Sequence, residues 1–316
     1  MHPRLLDWLV CPRCAGKLRL AGTQSNSEVD SGVLVCPAGH ELEVRQGVPR
    51  LASSADAALS IQQTYDTAWS HFEYGDATWS KDAADRVKLF LQEVRLRPEE
   101  LEGKLMLDAG CGTGVLTHGV TAYGCEAIGA DVSEIVVRAH RHFGREAGQR
   151  AHFVQADLDD PPFRDGIFDI IYAGGVLHHN PDPQATFGSI ARKLATGGRL
   201  WVWLYRKRSN LKYRLQQLLR ACVVRLPRPA QKVAVAAWLP QSMLRQFVKI
   251  ALGRCASAER SSWREKYVLL LDHYTPQYRW EHTEEQVRGW YEQAGFTDLV
   301  FSHNDWGFGV IGTKQK

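Results

Sequence analysis

Three groups of residues could do chemistry by type and spacing. The first is Leu105-Met106-Leu107-Asp108-Ala109-Gly110-Cys111-Gly112-Thr113-Gly114, an apolar run entering a D-x-G-x-G-x-G turn. Larger side chains on such a turn would block a ligand's approach to the backbone, so the glycines point to a bound nucleotide-like group. Asp131 follows seventeen residues after Gly114, closing Ala127-Ile128-Gly129-Ala130-Asp131. A carboxylate at that strand tip can accept hydrogen bonds from both hydroxyls of a ribose. The second group is Cys11-x2-Cys14 with Cys36-x3-His40, both pairs set in Cys-Pro turns. Four such donors in two knuckles complete a tetrahedral site with no open position, which is the pattern of structural zinc. The third is His178-His179, a pair suited to accepting a proton near neutral pH.

These groups need elements to hold them. Short apolar runs at Leu105–Ala109, Ala127–Asp131, His152–Gln155, Phe168–Ala173 and Arg199–Tyr205 alternate with helical stretches. That alternation predicts an α/β fold, a Rossmann-like and mostly parallel sheet with helices on both faces. Leu299–His303 and Gly309–Gly312 read as two further strands, which makes seven. Thr283-Glu284-Glu285-Gln286 is a capping box opening a helix that ends near Gly295. A helix over Ala83–Val94 should stop before Pro98. The domain reading is a small cysteine-bearing unit at 1–51, a helical linker or lid at 52–104, and the α/β domain at 105–316. The aromatics Tyr65, Trp69, Phe72, Tyr74 and Trp79 fall in the lid, where Tyr65 and Trp69 suit either a cover for the ligand or plain core packing.

The pattern from Asp108 to Gly114 resembles motif I of the class I S-adenosylmethionine (SAM) dependent methyltransferases. The nicotinamide-binding G-x-G-x-x-G differs, because its third glycine would fall where Val115 stands. The resemblance extends through Gln155-Ala156-Asp157-Leu158, Phe168 to His179, and Leu194-Ala195-Thr196-Gly197-Gly198-Arg199-Leu200. It implies a SAM site at Asp108, Gly110, Cys111, Gly112, Gly114, Asp131, Val132, Asp157, Leu158 and Ala173. The loop would hold the methionine part, Asp131 the ribose and Asp157 the adenine amino group. His178 is the preferred general base on this reading, with His179 beside it and His273 in reserve. The acceptor would be a hydroxyl or amine of a small metabolite, such as a glycan or specialised-metabolite precursor. Methylation of rRNA or tRNA is the alternative. The fourth-strand motif lacks the Asn/Asp-Pro-Pro-aromatic signature of many base and glutamine methylators, and Gly174-Gly175-Val176-Leu177-His178-His179 stands there instead.

The cysteine-bearing unit resembles the zinc-ribbon family that includes the activator subunit of several RNA and protein methyltransferases. It is also similar to the Cys3His ribbon heading some bacterial rRNA guanine methyltransferases. The first likeness runs through Leu5 to Val10, both ligand pairs and Gly47-Val48-Pro49-Arg50-Leu51, with His40 where a fourth cysteine is usual.

Charge is segregated along the chain. Residues 206–258, part of an insert at 206–281, hold twelve basic and no acidic residues, so with a total of +4 the remainder carries −8. Three partners suit that composition: an anionic membrane surface, with Leu211, Leu215, Leu218, Leu219 and Val223 as an apolar stripe; RNA phosphates; or an acidic substrate. A solvated helical face is the plain alternative. Sparse aromatics argue against a platform for stacking single-stranded bases. No apolar run reaches the about 18–20 residues that span a bilayer. The start of the chain lacks a secretory leader pattern, and the seven scattered cysteines suit a reducing, cytoplasmic setting with peripheral membrane contact as an option.

Overall fold

The computed structural model describes residues 1–22, 28–52, 56–72, 74, 83–144, 150–209, 211–252 and 262–315. Trp79 and Arg254 lie outside the described residues, as do parts of the 22–32 and 52–58 segments.

The first unit opens with a 3-10 turn at Pro3–Asp7. Four short strands follow: β1 (Arg19–Leu20), β2 (Gly32–Val35), β3 (Glu41–Arg45) and β4 (Val48–Pro49), paired in that order as an antiparallel sheet. In β3 the residues alternate between exposed and buried, with Leu42 and Val44 inward, as a half-covered strand requires.

Helices α1 (Asp56–Trp69) and α2 (Ala83–Val94) lead to the main sheet. Its strands are β5 (Leu105–Ala109), β6 (Glu126–Asp131), β7 (Ala151–Gln155), β8 (Phe168–Gly174), β9 (Leu194–Tyr205), β10 (Phe296–His303) and β11 (Gly307–Lys314). Their spatial order is β10-β11-β9-β8-β5-β6-β7. The five strands from β9 to β7 run parallel, and β11 and β10 add antiparallel at one edge. The parallel strands are covered on both faces and read as apolar runs for that reason. The crossovers use α3 (Val115–Gly119), α4 (Ile135–Phe143) and α5 (Pro183–Lys193). The fifth parallel strand starts earlier than the expected Arg199. Leu194 already pairs with Phe168, and Gly197 at φ 76° carries the irregularity that follows.

After β9 the chain forms α6 (Leu211–Val224), α7 (Arg228–Ala237), α8 (Leu239–Ala251) and α9 (Trp263–Tyr274), then returns through α10 (Glu284–Gln293). The capping box of α10 is present, Thr283 Oγ1 accepting from Gln286 N and Gln286 Oε1 from Thr283 N. The four insert helices build a small core of their own from Val223, Val235, Tyr267 and Leu271, with Ala68 from α1.

The cysteine-bearing unit has no such separate core. Leu5, Leu9, Leu18, Leu34, Leu42 and Leu51 belong to one continuous apolar cluster with Leu107, Ile128, Val154, Ile171 and Leu200 of the main sheet. Arg50 pairs alongside Gln155 in parallel, and Leu51 N donates to Gln155 O at 2.8 Å. The unit thereby covers β7, the exposed edge strand of the sheet.

Candidate functional site

The glycine loop leaves the carboxyl end of β5, the middle strand of the parallel block. Gly110, Gly112 and Gly114 have φ of 74°, 51° and 75°, a region that other residues rarely adopt. A Cβ on Gly112 would also come within 2.9 Å of the Trp69 ring, so α1 lies directly over the loop. Asp131 ends β6 and faces the same loop. Its Oδ2 accepts from Gly112 N at 3.0 Å, and its Oδ1 accepts from Ser133 N at 2.9 Å and Ser133 Oγ at 2.6 Å. A carboxylate has about four lone-pair sites, so room remains for a diol. Burial raises the Asp131 pKa, and the same hydrogen bonds oppose the rise.

Asp108 sits beneath the loop, fully enclosed, and accepts from Thr117 Oγ1 at 2.7 Å. Burial pushes its carboxyl up to about 6, against the pull of Thr117. The Cys111 thiol is driven well up by burial and the adjacent carboxylates, so it remains a thiol. The Val132 carbonyl accepts from Gln155 Nε2 at 2.9 Å. Asp157 and Leu158 follow β7, where Asp157 Oδ1 accepts from Asp159 N at 3.0 Å. Ala173 is buried near the end of β8. All ten expected cofactor residues thus gather at the carboxyl ends of four adjacent strands, at the switch point of an open sheet.

Helix α1 and the segment after it are held against the loop by polar contacts. Asp66 accepts from Glu134 N at 2.6 Å, and Arg138 donates to the carbonyls of Trp69 at 3.0 Å and Phe72 at 2.7 Å. Tyr74 donates to Thr113 O at 3.1 Å. Trp69 lies over Gly112, and the Tyr65 ring meets His179 edge-on with centroids 5.7 Å apart.

His178 and His179 lie in a short turn after β8 and are both buried. His178 packs against Trp203 and Tyr205, and burial with neighbouring His179 and Arg279 drives its pKa well down. The His178 ring also bonds the Trp203 backbone and leaves a buried Nδ1 without a partner among the described residues, and His179 is held in a similar way. Its Nδ1 lies 3.0 Å from the Tyr278 carbonyl, which can only accept, so Nδ1 carries the proton. The lone pair is then on Nε2, which is buried, has no hydrogen-bond partner among the described residues, and stands 3.8 Å from Asp272 Oδ1. Burial lowers the His179 pKa while Asp272 raises it. The hydroxyls of Tyr65 and Tyr205 donate to Asp272 at 3.2 and 3.4 Å.

Sequence reading misses most of this second cluster. Asp272 lies at the end of α9, and Arg279 lies in the return from the insert. Arg279 stacks 3.9 Å above the Tyr205 ring and bonds Tyr213 and Glu281. Arg220 on α6 turns inward to the carbonyls of Pro276 and Gln277. Burial and nearby Arg279 lower Arg220 to about 10. Nε of both arginines is buried and unpaired among the described residues. Only the basic count of the insert hinted at them. His273 is lowered to about 3, chiefly by burial, and bonds Gln216.

Cys11, Cys14, Cys36 and His40 converge, with all donor atoms within 4.8 Å of one another. His40 Nδ1 stands 3.5 Å from Cys11 Sγ and 3.4 Å from Cys36 Sγ. A tetrahedron with metal–sulfur bonds of about 2.3 Å has edges of about 3.8 Å, so the donor set fits zinc. Against the effect of burial, backbone donors at His40 and Ala38 and the neighbouring thiols bring Cys36 down to about 6, toward the thiolate that a metal takes.

Comparison with known proteins agrees with both halves. Residues 107–202 match the family described as methyltransferase domain, and residues 2–42 match the Trm112p-like protein family. One chain thus carries both matches, to a methyltransferase domain and to a Trm112p-like segment. An uncharacterized protein of Synechococcus sp. is 30% identical over 216 residues, 66% of this chain and 51% of that one. A ubiquinone biosynthesis O-methyltransferase of Marinobacter nauticus is 30% identical over 105 residues, 32% of this chain and 44% of its own. The chain spans about half the length of the curated relatives it matches. In fold it is similar to phosphoethanolamine N-methyltransferase 2 of Haemonchus contortus, at TM-score 0.52 and 14% identity, covering 87% of this chain and 63% of that one.

Proposed function

We propose that this chain transfers a methyl group from SAM to a hydroxyl or amine of a small molecule that carries an anionic group. The carrying observation is the pairing of the glycine-rich loop with Asp131, which suits an adenosyl ligand lying across β5 and β6. SAM supplies a methyl already activated by its sulfonium, so the protein's part is alignment, exclusion of water and removal of a proton. Trp69 and α1 exclude water above the loop. His179 Nε2 is the general base, in preference to His178, because Asp272 stands by to stabilise its imidazolium. Arg220 and Arg279 would hold the acceptor's carboxylate or phosphate with the donors left unpaired. The Cys3His cluster would hold structural zinc.

Titration calorimetry with SAM and S-adenosylhomocysteine tests the cofactor half. Micromolar binding is expected, weakened about 100-fold or more in Asp131→Ala, since two charge-assisted hydrogen bonds are lost. A folded, zinc-loaded sample that binds neither ligand would defeat the reading. Transfer of labelled methyl to acidic small molecules, with KM raised in Arg220→Gln, tests the acceptor half.

A further inference from the structure

The insert helix α6 has two faces of opposite character. Tyr213, Gln216, Arg220 and Val223 turn inward, and Tyr213 and Arg220 meet the site and its return loop. Leu211, Leu215, Leu218 and Leu219 turn outward and are 81%, 59%, 66% and 46% exposed. At about 100° per residue these leucines fall within a sector of about 100°, with Arg214 and Arg225 along one flank. Val223, expected in the same stripe, is instead buried in the insert core. A second exposed stripe runs down α8, with Leu244, Phe247 and Val248 exposed and Leu252 just past its end. Arg206, Lys207, Arg214, Arg225, Lys232 and Arg245 of the same segment are exposed as well. None of these cations forms an ion pair among the described residues. These six cations therefore stand open to an outside partner.

We infer that α6 and α8 form a docking surface for an anionic lipid bilayer, the leucines entering the acyl boundary and the flanking cations meeting headgroups. Single exposed apolar residues need no explanation, whereas two amphipathic stripes in an acid-free segment do. A second copy of the chain fits poorly, because that contact would set two such cationic faces against each other. RNA also fits poorly, because the ridge it would meet presents one aromatic, Phe247, among leucines and a valine. No helix among the described residues is long and apolar enough to cross a membrane, so the surface would lie on the bilayer. The inference stands independently of methyl transfer. If both hold, α6 carries Arg220 on the reverse of the membrane-facing stripe, and an amphiphilic acceptor would be taken from the interface.

The test is flotation with vesicles of phosphatidylcholine alone and of phosphatidylcholine with phosphatidylglycerol. Binding to the mixed vesicles is expected, weakened by salt and reduced about tenfold or more in Leu215→Glu/Leu218→Glu. Arg214→Glu/Arg225→Glu should lose the preference for the anionic lipid. SAM affinity, measured on the same samples, should stay at the wild-type value in both variants, which separates failure of the surface from failure of the cofactor site. No vesicle binding by the folded protein would overturn the inference. So would undiminished binding by the leucine variant, a dimer in solution that the same leucine variant dissolves, or RNA binding without vesicle binding.

Discussion

The cysteine-bearing unit and the helical insert flank opposite ends of the proposed site and are built on opposite principles. The first shares its core with the main sheet, seals the edge strand and sends Arg50 to Glu134 and Gln155 at the proposed cofactor end. The second builds a small core with Ala68 of α1, leaves leucines and cations facing outward, and sends Asp272, Arg220 and Arg279 to the proposed acceptor end. Among the described residues, the insert helices, unlike the strands of the first unit, add nothing to the core of the main sheet.

The strongest way to break this contrast is to remove the metal. If the first unit is one body with the sheet, chelation or Cys36→Ser should destabilise the whole chain in a single transition. A loss of about 5 kcal/mol would lower the midpoint by about 10 °C or more in calorimetry. Leu215→Glu/Leu218→Glu, on the insert's open face, should cost within about 0.5 kcal/mol. Two separate transitions after chelation would show that the shared core does not couple the units.

The second test sharpens the acceptor end. His179→Ala should lower the transfer rate by about 10²–10⁴-fold, with SAM affinity kept within about threefold. His179 must be neutral to accept a proton. Burial lowers its pKa from the ordinary 6.5, so activity should hold at neutral pH and fall only on acidification below that value. Asp272→Asn should weaken transfer less than His179→Ala. A variant that loses SAM binding along with rate would place His179 in the cofactor wall instead.

What sequence made legible follows the same division. The strands, the glycine loop, Asp131 and the metal donors were readable because each depends on local spacing, period or turn chemistry. The pairing of His179 with Asp272 was not, because ninety-three residues separate them and only the return of the insert joins them. Arg220 counted as one more surface cation, since no local pattern tells an inward arginine from an outward one on a helix whose leucine stripe faces outward. The shared core was hidden too. Leu5, Leu9 and Leu51 look like the interior of a small ribbon until the edge of β7 is seen to need cover.

At the cofactor end, Asp108→Asn should separate stability from binding. The folded carboxyl keeps its proton up to about 6, above the ordinary 3.8, because it is buried. The folded state is therefore penalised as pH rises through that window, by roughly 3 kcal/mol at neutral pH. Asparagine removes the penalty and still accepts from Thr117, so the variant should melt higher at pH 7, with the gain vanishing toward pH 4. SAM should bind it more weakly if the charge helps to fix the loop.

The smallest expected effect bears most directly on why the two modules differ. Arg50 is a residue of the first unit, yet its guanidinium bonds Glu134 after Asp131 and Gln155 at the end of β7. Gln155 in turn holds the Val132 carbonyl. Arg50→Ala should leave zinc content unchanged and weaken SAM about tenfold, the loss of about 1–2 kcal/mol of hydrogen bonding that positions the adenosine side of the site. Arg245→Ala, an exposed cation of the insert, should leave SAM affinity alone. Equal affinities in wild type and Arg50→Ala would reduce the first unit to a cover for the sheet edge, whereas a tenfold gap would make it a working wall of the cofactor site.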